Sequence, residues 1–197
     1  MVIKSLATVL MLLGLAANGV AASNEGPPCL LGLCIGSGPI LERDALERLS
    51  LPATKQRLKD GIDYDCFRWP KKRYLKLGIM RPDSVVVSVG LSSFDDCEGN
   101  STDVQNSIRE ETTLEGLHLG DSRQDVLRIY GSPEAIIKDQ STFDRWLNDR
   151  KRPSDHYRNL PLVQLFIYGP PERQGEFRVI GFDRHARVTL LLIYAGP

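Results

Sequence analysis

The sequence has no surplus of charge of either sign. It contains 25 Lys and Arg residues and 25 Asp and Glu residues, which gives a formal net charge of zero at pH 7. Neither half is distinctly basic, because residues 23–112 carry 12 basic and 14 acidic side chains and residues 113–197 carry 12 and 11. Proteins that bind nucleic acid concentrate Lys and Arg on one surface. We therefore expect no nucleic-acid partner.

The sequence also lacks an apolar run long enough to span a bilayer, for which about 20 residues are needed. Its N-terminal residues have instead the three parts of a secretory signal peptide: a basic residue, Lys4, an apolar stretch at 6–16, and small residues at 20–22. Cleavage is expected after Ala22, so residues 1–22 are predicted to be removed. The residue directly after the cleavage point is Ser23 and not Cys, and we therefore expect a periplasmic or secreted protein with neither a lipid anchor nor a membrane span.

No Cys-x-x-Cys pair is present, and the His residues lie far from the Cys residues, so a metal site is not expected. All four Cys residues, Cys29, Cys34, Cys66 and Cys97, follow the predicted signal peptide. An even number of Cys residues in an oxidising compartment favours two disulfides. Three pairings are possible from the sequence alone. We favour Cys29–Cys34 as a tight loop and Cys66–Cys97 as a tie between two strands or between a strand and a loop.

The usual signs of a catalytic site are missing as well. His118, His156 and His185 are the three His residues, and no two of them have metal-ligand spacing on one predicted element. Asp183 lies near His185 and Asp155 adjoins His156, but neither pair is accompanied by a nucleophile elbow or an oxyanion loop. Gly-rich loops of the kind that cradle phosphate are absent too. We therefore predict no enzymatic activity and no cofactor.

The strongest local pattern lies at residues 114–134 and predicts one short helix. Ser122 is suited to the N-cap position, because its hydroxyl can accept a hydrogen bond from the amide three residues on. Asp125 completes an approximate capping box. Apolar residues at i, i+3 and i+4 from Val126 form one helical face. Gly131 can adopt the left-handed conformation that ends a helix, and the Pro two residues later prevents continuation.

This stretch resembles the helical signature of the BamE/SmpA-like envelope proteins, and the tandem-domain beta-lactamase inhibitor proteins have a similar signature. The matching residues are Gly116, Leu119, Gly120, Asp121, Ser122, Val126, Leu127, Gly131 and Pro133. The resemblance implies one α/β unit, as in the single-domain relatives, or two such units in tandem with disulfides. A weaker copy of the pattern begins at Gly32 and departs from the signature at Pro39.

Apolar runs separated by turn residues predict six strands. They lie at residues 62–69, 74–80, 84–91, 162–168, 176–183 and 187–195. Residues 74–81 align without gaps on residues 177–184, at an offset of 184 − 81 = 103 residues. At the same offset, the apolar residues of the third strand fall on those of the sixth. This match indicates that the order of elements occurs twice in the chain.

We therefore predict an α+β fold of two tandem units. Each unit has two helices followed by a three-stranded antiparallel meander, with the helices packed on one sheet face. The first unit comprises residues 23–98 and the second residues 113–197, and residues 99–112 form an exposed linker. The second helix of each unit is predicted at residues 51–60 and 141–151.

Both faces of the last predicted strand are apolar, whereas a solvated antiparallel face alternates apolar and polar residues. We therefore expect something other than the helices to cover the face that carries Leu191 and Ile193. Aromatic and Arg residues, which are enriched at binding hot spots, are placed around this face. The predicted partner-binding residues are Arg68, Trp69, Tyr74, Tyr168, Arg178, Arg184, Leu191 and Ile193. The alternatives are that the two units pack their sheets against each other or that the aromatic residues belong to the core.

Taken with the expected export, these features predict a non-catalytic protein-binding module. The resemblance to the beta-lactamase inhibitor proteins implies an inhibitor or immunity role. The resemblance to the BamE-like proteins implies the alternative, an envelope (outer-membrane) assembly or maintenance factor.

Overall fold

The computed structural model describes residues 27–55, 57–95, 97, 101–105, 116–138, 161–169 and 176–195. Three predictions lie outside these residues: the signal peptide at 1–22, the helix at 141–151 and the environment of His156. Within the described residues the chain forms ten strands and two short helices. The strands are β1 (Cys29–Leu30), β2 (Leu33–Cys34), β3 (Gly61–Trp69), β4 (Arg73–Arg81), β5 (Val85–Ser92), β6 (Thr102–Asp103), β7 (Ala135–Ile137), β8 (Gln164–Tyr168), β9 (Glu176–Phe182) and β10 (Val188–Ala195). The helices are α1 (Glu42–Arg48) and α2 (Arg123–Tyr130).

Eight of the strands form one mixed sheet in the order β6-β3-β4-β5-β10-β9-β8-β7. Strands β3, β4 and β5 pair antiparallel with their chain neighbours, as do β8, β9 and β10. The two sets are joined by antiparallel pairing of β5 with β10, and β6 adds to β3 in parallel. This pairing satisfies the backbone amides and carbonyls that each set alone would leave at an open edge.

The predicted architecture of two tandem units, each with two helices and its own three-stranded meander, is therefore wrong. The strands belong to one sheet, and each half contributes one described helix. The boundary drawn at residues 99–112 does not separate two sheets, because β6 lies inside it and pairs with β3.

The individual strand positions are nevertheless confirmed. Strands β3, β4 and β5 begin at residues 61, 73 and 85, whereas β8, β9 and β10 begin at residues 164, 176 and 188. Each pair of starts differs by 103 residues (164 − 61, 176 − 73 and 188 − 85), which is the offset found in the sequence. The offset of 103 residues thus relates the strands of one half to those of the other, but it did not show that all of them belong to one sheet.

The helix predicted at residues 51–60 is absent, since the described part of this segment is irregular. Ser50 has a φ of 52°, and the amide of Leu51 donates to the carbonyl of Leu46 at 2.8 Å, which ends α1. Leu58 is 45% exposed. The segment therefore has too few apolar residues on one side for packing against the sheet to offset the conformational entropy lost when a helix forms.

Helix α2 has the predicted boundaries and a complete capping box. The Ser122 hydroxyl accepts a hydrogen bond from the Asp125 amide at 3.2 Å, and the Asp125 carboxylate accepts from the Ser122 amide at 3.1 Å. Hydrogen bonds from Ser122 and then Arg128 hold the pKa of the Asp125 carboxyl at about 2. The helix ends at Gly131, whose φ of 72° requires a residue that tolerates the left-handed region.

Both helices pack on one side of the sheet, which we call the helix face. The main core lies there and includes Ala45 of α1, Val126 of α2 and apolar side chains from both halves of the sheet. A second, smaller core lies on the opposite side, the far face, over the second half of the sheet. Its buried members are Ile137, Leu165, Ile167, Phe177, Val179, Leu190 and Leu192.

Two disulfides join the predicted pairs, Cys29–Cys34 and Cys66–Cys97. The first closes the β1–β2 hairpin, and the second ties β3 to the segment that follows β5. The second pair is 31 residues apart in sequence, so the chain-entropy model gives it roughly 3 to 4 kcal/mol of stabilisation. Neither α1 nor α2, the helices in the described residues, is long and apolar enough to cross a membrane.

The capping box of α2 predicts the effect of Ser122→Ala. This change removes the hydroxyl that accepts from Asp125, so we expect the free energy of unfolding to fall by about 1 kcal/mol. Urea unfolding followed by circular dichroism measures the change. Ser132→Ala, at an exposed position just beyond the helix, is the control and should leave stability within about 0.5 kcal/mol of the wild type. Equal effects of the two changes would show that the cap contributes nothing.

Candidate binding cleft beside helix α1

Helix α1 begins against the turn that joins β4 to β5. The amide of Glu42, its first residue, donates to the carbonyl of Ser84 at 2.8 Å, and the amide of Val86 donates to the carbonyl of Ile40 at 2.8 Å. Leu41 forms an isolated β-bridge with Val85. These backbone contacts fix the start of the helix to the end of the sheet.

A cleft of about 550 Å³ lies beside this junction, and we call it the α1 cleft. Its lining residues are Leu41, Glu42, Arg43, Leu46, Glu47, Leu51, Ala53, Asp83 and Ser84. Leu41 is 40% exposed, whereas Leu46 and Leu51 are buried. The lining of the α1 cleft therefore combines apolar and charged side chains.

A buried charged cluster, formed by Glu42, Asp63, Asp65 and Arg81, adjoins the α1 cleft. The side chain of Arg81 is 2% exposed and stands at the end of β4. Its guanidinium donates to the carboxylate of Glu42 at 2.5 Å and to the hydroxyl of Ser84 at 2.8 Å. It also lies 3.6 Å from the carboxylate of Asp63. Arg81 thus links α1, the β4–β5 turn and β3.

Asp63 fixes the chain at the start of β3. Its carboxylate accepts hydrogen bonds from the amide of Arg57 at 2.8 Å and from the amide of Tyr64 at 3.0 Å. The segment after α1 is therefore tied to the sheet by a carboxylate and not by a second helix.

The charged cluster shifts the pKa values of its own side chains. The pKa of the Asp65 carboxyl is raised to about 6, chiefly because the group is buried. The carboxylates of Glu42 and Asp63 raise this pKa as well, whereas the Thr54 hydroxyl lowers it. The pKa of the Arg81 guanidinium is raised by its hydrogen bond to Glu42. The cluster therefore contains a carboxyl that changes charge near pH 6.

The second half of the sheet has aromatic residues where β3 has the two Asp residues of the cluster. At the offset of 103 residues, Phe166 and Tyr168 of β8 take the places of Asp63 and Asp65 of β3. The ring centroids of Phe166 and Phe182 are 4.8 Å apart, and those of Tyr130 and Tyr168 are 5.2 Å apart. Helix α2 thus packs on the sheet through aromatic side chains. Packing a helix at this place does not itself require buried charge.

The eight predicted partner-binding residues do not form one exposed surface. Arg68 is exposed and donates to the carboxylate of Asp103 at 2.5 and 2.8 Å, and Arg184 is exposed in the β9–β10 turn. The other six are buried: Trp69, Tyr74, Tyr168, Arg178, Leu191 and Ile193.

The predicted placement of Leu191 and Ile193 on a face away from the helices is a further correction. Both side chains are fully buried in the core of the helix face, together with Ala45 and Val126. Alternate residues of a strand point to opposite faces, so a one-residue error in phase exchanges the two faces completely. A partner cannot reach these two side chains in the folded protein.

The His residues within the described residues lie in turns. His118 is exposed, and its backbone amide donates to Asp121 at 2.7 Å. The carboxylate of Asp183 accepts from the backbone amides of His185 and Arg187, so this carboxylate holds the β9–β10 turn. Among the described residues, no group of three or more His, Cys, Asp or Glu side chains is arranged to hold a metal ion.

The sequence reasoning missed the charged cluster, although β3 carries a signal for it. Asp63, Asp65, Phe67 and Trp69 occupy every second position of β3, so all four side chains lie on one strand face. Phe67 and Trp69 are apolar and large, so this face is directed to the core. Two acidic residues on a core-directed face indicate buried charge that needs a cationic partner.

The comparisons with known proteins assign no family. No family model matches the chain, and no curated protein does. A solved structure of a DUF4309 family protein (YjgB) from Bacillus subtilis is similar with a TM-score of 0.44 and 8% identity, over 84% of this chain and 83% of that one. An extracellular protein containing a SCP domain from Bacillus anthracis has a TM-score of 0.43 and 10% identity, over 78% of this chain and 42% of that one. The resemblance to the BamE-like and beta-lactamase inhibitor proteins stays a prediction.

The compartment follows from the disulfides. Both link Cys residues within one chain, and the described residues include no free Cys. Stable disulfides of this kind form in oxidising environments. The protein is therefore secreted or extracellular.

The buried position of Arg81 predicts the effect of Arg81→Met. This change leaves Glu42 and Asp63 without their cation, so we expect the free energy of unfolding to fall by about 3 to 5 kcal/mol. Arg43→Met is the control, because the side chain of Arg43 is 83% exposed. Urea unfolding at pH 7 compares the two. A loss of less than about 1 kcal/mol for Arg81→Met would contradict a buried ion pair that holds α1.

The raised pKa of Asp65 predicts how stability depends on pH. Its folded-state pKa of about 6 lies above the ordinary value of 3.8, so its stabilising contribution is complete below pH 4 and is lost as the pH rises through 6. Asp65→Asn stays neutral throughout. We therefore expect the free energy of unfolding to fall less between pH 5 and pH 7.5 in Asp65→Asn than in the wild type.

The control for this prediction is Asp83→Asn, which removes an exposed carboxylate beside the same cleft. Urea unfolding of the oxidised proteins at pH 5 and pH 7.5 gives, for each protein, the change in the free energy of unfolding between the two pH values. The Asp83→Asn protein should keep the wild-type dependence. If Asp65→Asn keeps it too, Asp65 does not titrate in this range.

Proposed function

We propose that this protein is an exported, non-catalytic protein-binding module and that the α1 cleft is its binding site. The observation that carries the proposal is the mixed lining of the cleft, which combines apolar and charged side chains. Leu41, Leu46 and Leu51 are the leucines of this lining, and Arg43 and Glu47 are exposed charged residues of it. Protein interfaces combine the same two kinds of residue, since desolvated side chains supply most of the affinity and polar ones surround them.

The size of the α1 cleft supports this use. Its volume of about 550 Å³ lies within the range of about 300–1,000 Å³ that is common for binding sites. Such a cleft has room for one or two large side chains of a partner. A partner that inserts an aliphatic or aromatic side chain next to Leu41 would remove the exposed part of that leucine from water.

The walls of the α1 cleft are held in place before any partner arrives. Glu42 is fixed by Arg81, and the start of α1 is fixed by backbone hydrogen bonds to the β4–β5 turn. The amide of Arg57 is bound by Asp63, which restrains the segment after α1. A site that is already ordered loses less conformational entropy when a partner binds. This gives the buried charges of the first half a role that the second half does not need.

The proposal is tested with Leu41→Asp and a matched control, Leu127→Asp. The two leucines are similarly exposed, 40% and 38%, but Leu127 lies on α2. Leu41 is the N-cap residue of α1, where Asp is favourable, so Leu41→Asp should preserve the fold. The oxidised wild-type protein and both variants are used to capture partners from the cell envelope and medium of the source organism. The affinity of each retained protein is then measured with purified components.

We expect one protein to be retained by the wild type and by Leu127→Asp, and to bind Leu41→Asp about thirtyfold more weakly. That factor corresponds to the loss of one anchor residue worth about 2 kcal/mol. If Leu41→Asp binds the retained protein with wild-type affinity, the α1 cleft is not the binding site. If the wild type retains no protein at any salt concentration, the proposal is wrong. The identity of the retained protein separates an inhibitor or immunity role, with an enzyme bound, from envelope assembly, with outer-membrane proteins bound.

A further inference from the structure

The lining of the α1 cleft carries more negative than positive charge. Its charged residues are three acidic ones, Glu42, Glu47 and Asp83, and one basic one, Arg43. The other basic residues between positions 41 and 60 are exposed and do not belong to the lining; they are Arg48, Lys55, Arg57 and Lys59. The α1 cleft therefore presents an excess of carboxylates to a group that enters it.

Two of the four charged lining residues already have partners of opposite charge. The carboxylate of Glu42 is bound by Arg81, and the guanidinium of Arg43 lies 3.5 Å from the carboxylate of Asp44. Glu47 and Asp83 are exposed, and neither forms an ion pair with another residue that the structure describes. Their two carboxylates are therefore the charges of the lining with which a partner can pair.

The charged cluster that adjoins the α1 cleft adds to its negative potential. The cluster has three carboxyl groups, those of Glu42, Asp63 and Asp65, and one guanidinium, that of Arg81. Because the pKa of the Asp65 carboxyl is about 6, the carboxylates outnumber the cation further at neutral pH. A potential of one sign acts more strongly inside a cleft with low-dielectric walls than on a flat surface.

A Lys or Arg side chain has both of the properties that this lining favours. Its apolar stem can cover apolar surface while the charged head stays in contact with water. Leucine and alanine side chains line the cleft together with Glu47 and Asp83, so both kinds of contact are available in it. An acidic side chain would meet like charge at the same place, which weakens binding.

We propose that the partner of the α1 cleft inserts a Lys or Arg side chain, whose cation pairs with Glu47 and Asp83. This inference rests on the function proposed for the cleft, and it states the chemistry that the partner presents. The cation accompanies the apolar side chain that packs next to Leu41, because a cleft of about 550 Å³ has room for two large side chains. The carboxylates thus select among partners that offer a similar apolar residue.

The test uses four small probes that share a phenyl group and differ in charge. Phenethylamine and phenethylguanidine are cationic at pH 7, phenethyl alcohol is neutral and phenylacetate is anionic. Each probe is titrated into the oxidised, isotopically labelled protein, and two-dimensional NMR follows the backbone amide signals. The signals of Glu42, Glu47 and Ser84 report on the α1 cleft, and the signal of Leu127 reports on α2.

The double variant Glu47→Gln/Asp83→Asn removes both carboxylates with almost no change in the size of the side chains. Asp60→Asn/Glu134→Gln is the matched control, because it removes two exposed carboxylates that do not line the cleft. The amide oxygen introduced by Glu134→Gln can still accept the hydrogen bond from the backbone amide of Gly169. The control should therefore keep the wild-type fold.

We expect the cationic probes to bind the wild type and the control roughly three- to tenfold more tightly than phenethyl alcohol does. Phenylacetate should bind most weakly. In Glu47→Gln/Asp83→Asn the preference for cations should disappear, while the affinity for phenethyl alcohol stays the same. In the wild type the preference should decrease as NaCl is added. The cation that binds more tightly identifies the partner's residue as Lys or Arg.

Equal binding of the cationic and neutral probes by the wild type would overturn this inference, and so would an unchanged preference in Glu47→Gln/Asp83→Asn. Both results leave the α1 cleft as a binding site. Equal loss of the preference in the two double variants would also contradict the inference, because the preference would then come from the net charge of the protein. If no probe shifts the signals of the cleft, the function proposed for the α1 cleft is wrong as well.

Discussion

The pairing of β5 with β10 is the interaction on which the rest of the structure depends. Five residue pairs, from Ser88↔Tyr194 to Ser92↔Leu190, join the two halves into one sheet. Because the sheet is continuous, α1 and α2 lie on one face and share one core. Without this pairing each half would have three main strands, one short helix and an exposed edge. Such a unit buries little apolar surface and would be marginally stable.

The two halves hold their helices on this shared sheet by different interactions. The second half uses Phe166 and Tyr168, whereas the first half uses the buried cluster around Arg81. Replacing buried ion pairs by apolar residues is often neutral or stabilising, so the charged cluster is not needed for stability alone. It is directional, however, and its hydrogen bonds fix the start of α1 beside the α1 cleft. Buried charge and cleft therefore belong together in the first half, and the buried carboxylate of Asp63 has an aromatic ring, that of Phe166, at the equivalent position.

Local signals in the sequence predicted local structure well. Ser122 and Asp125 defined the cap of α2, Cys spacing favoured the two disulfides that form, and alternation located six strands. The pairing of β5 with β10 joins residues about a hundred positions apart, and no local pattern encodes it. Strand phase was also beyond the sequence reasoning, since β10 is apolar on both faces and Leu191 was placed on the wrong one.

The candidate site was missed for a different physical reason. Acidic residues in a strand usually face solvent, so Asp63 and Asp65 read as surface residues until their shared face with Phe67 is considered. Their cation, Arg81, comes from the next strand, and Glu42 comes from a helix before β3. Only the fold brings these four side chains together.

The position of β10 in the sheet has a consequence for how the chain folds. It is the last of the described strands in sequence but lies between β5 and β9, at the centre of the sheet order. During synthesis, β3, β4 and β5 emerge long before their central partner, so the edge of β5 stays open until residues 188–195 are available. The sheet is therefore completed only when nearly the whole described chain is present. A chain with this topology stays incompletely folded during synthesis, which suits a protein that must cross a membrane before its disulfides form.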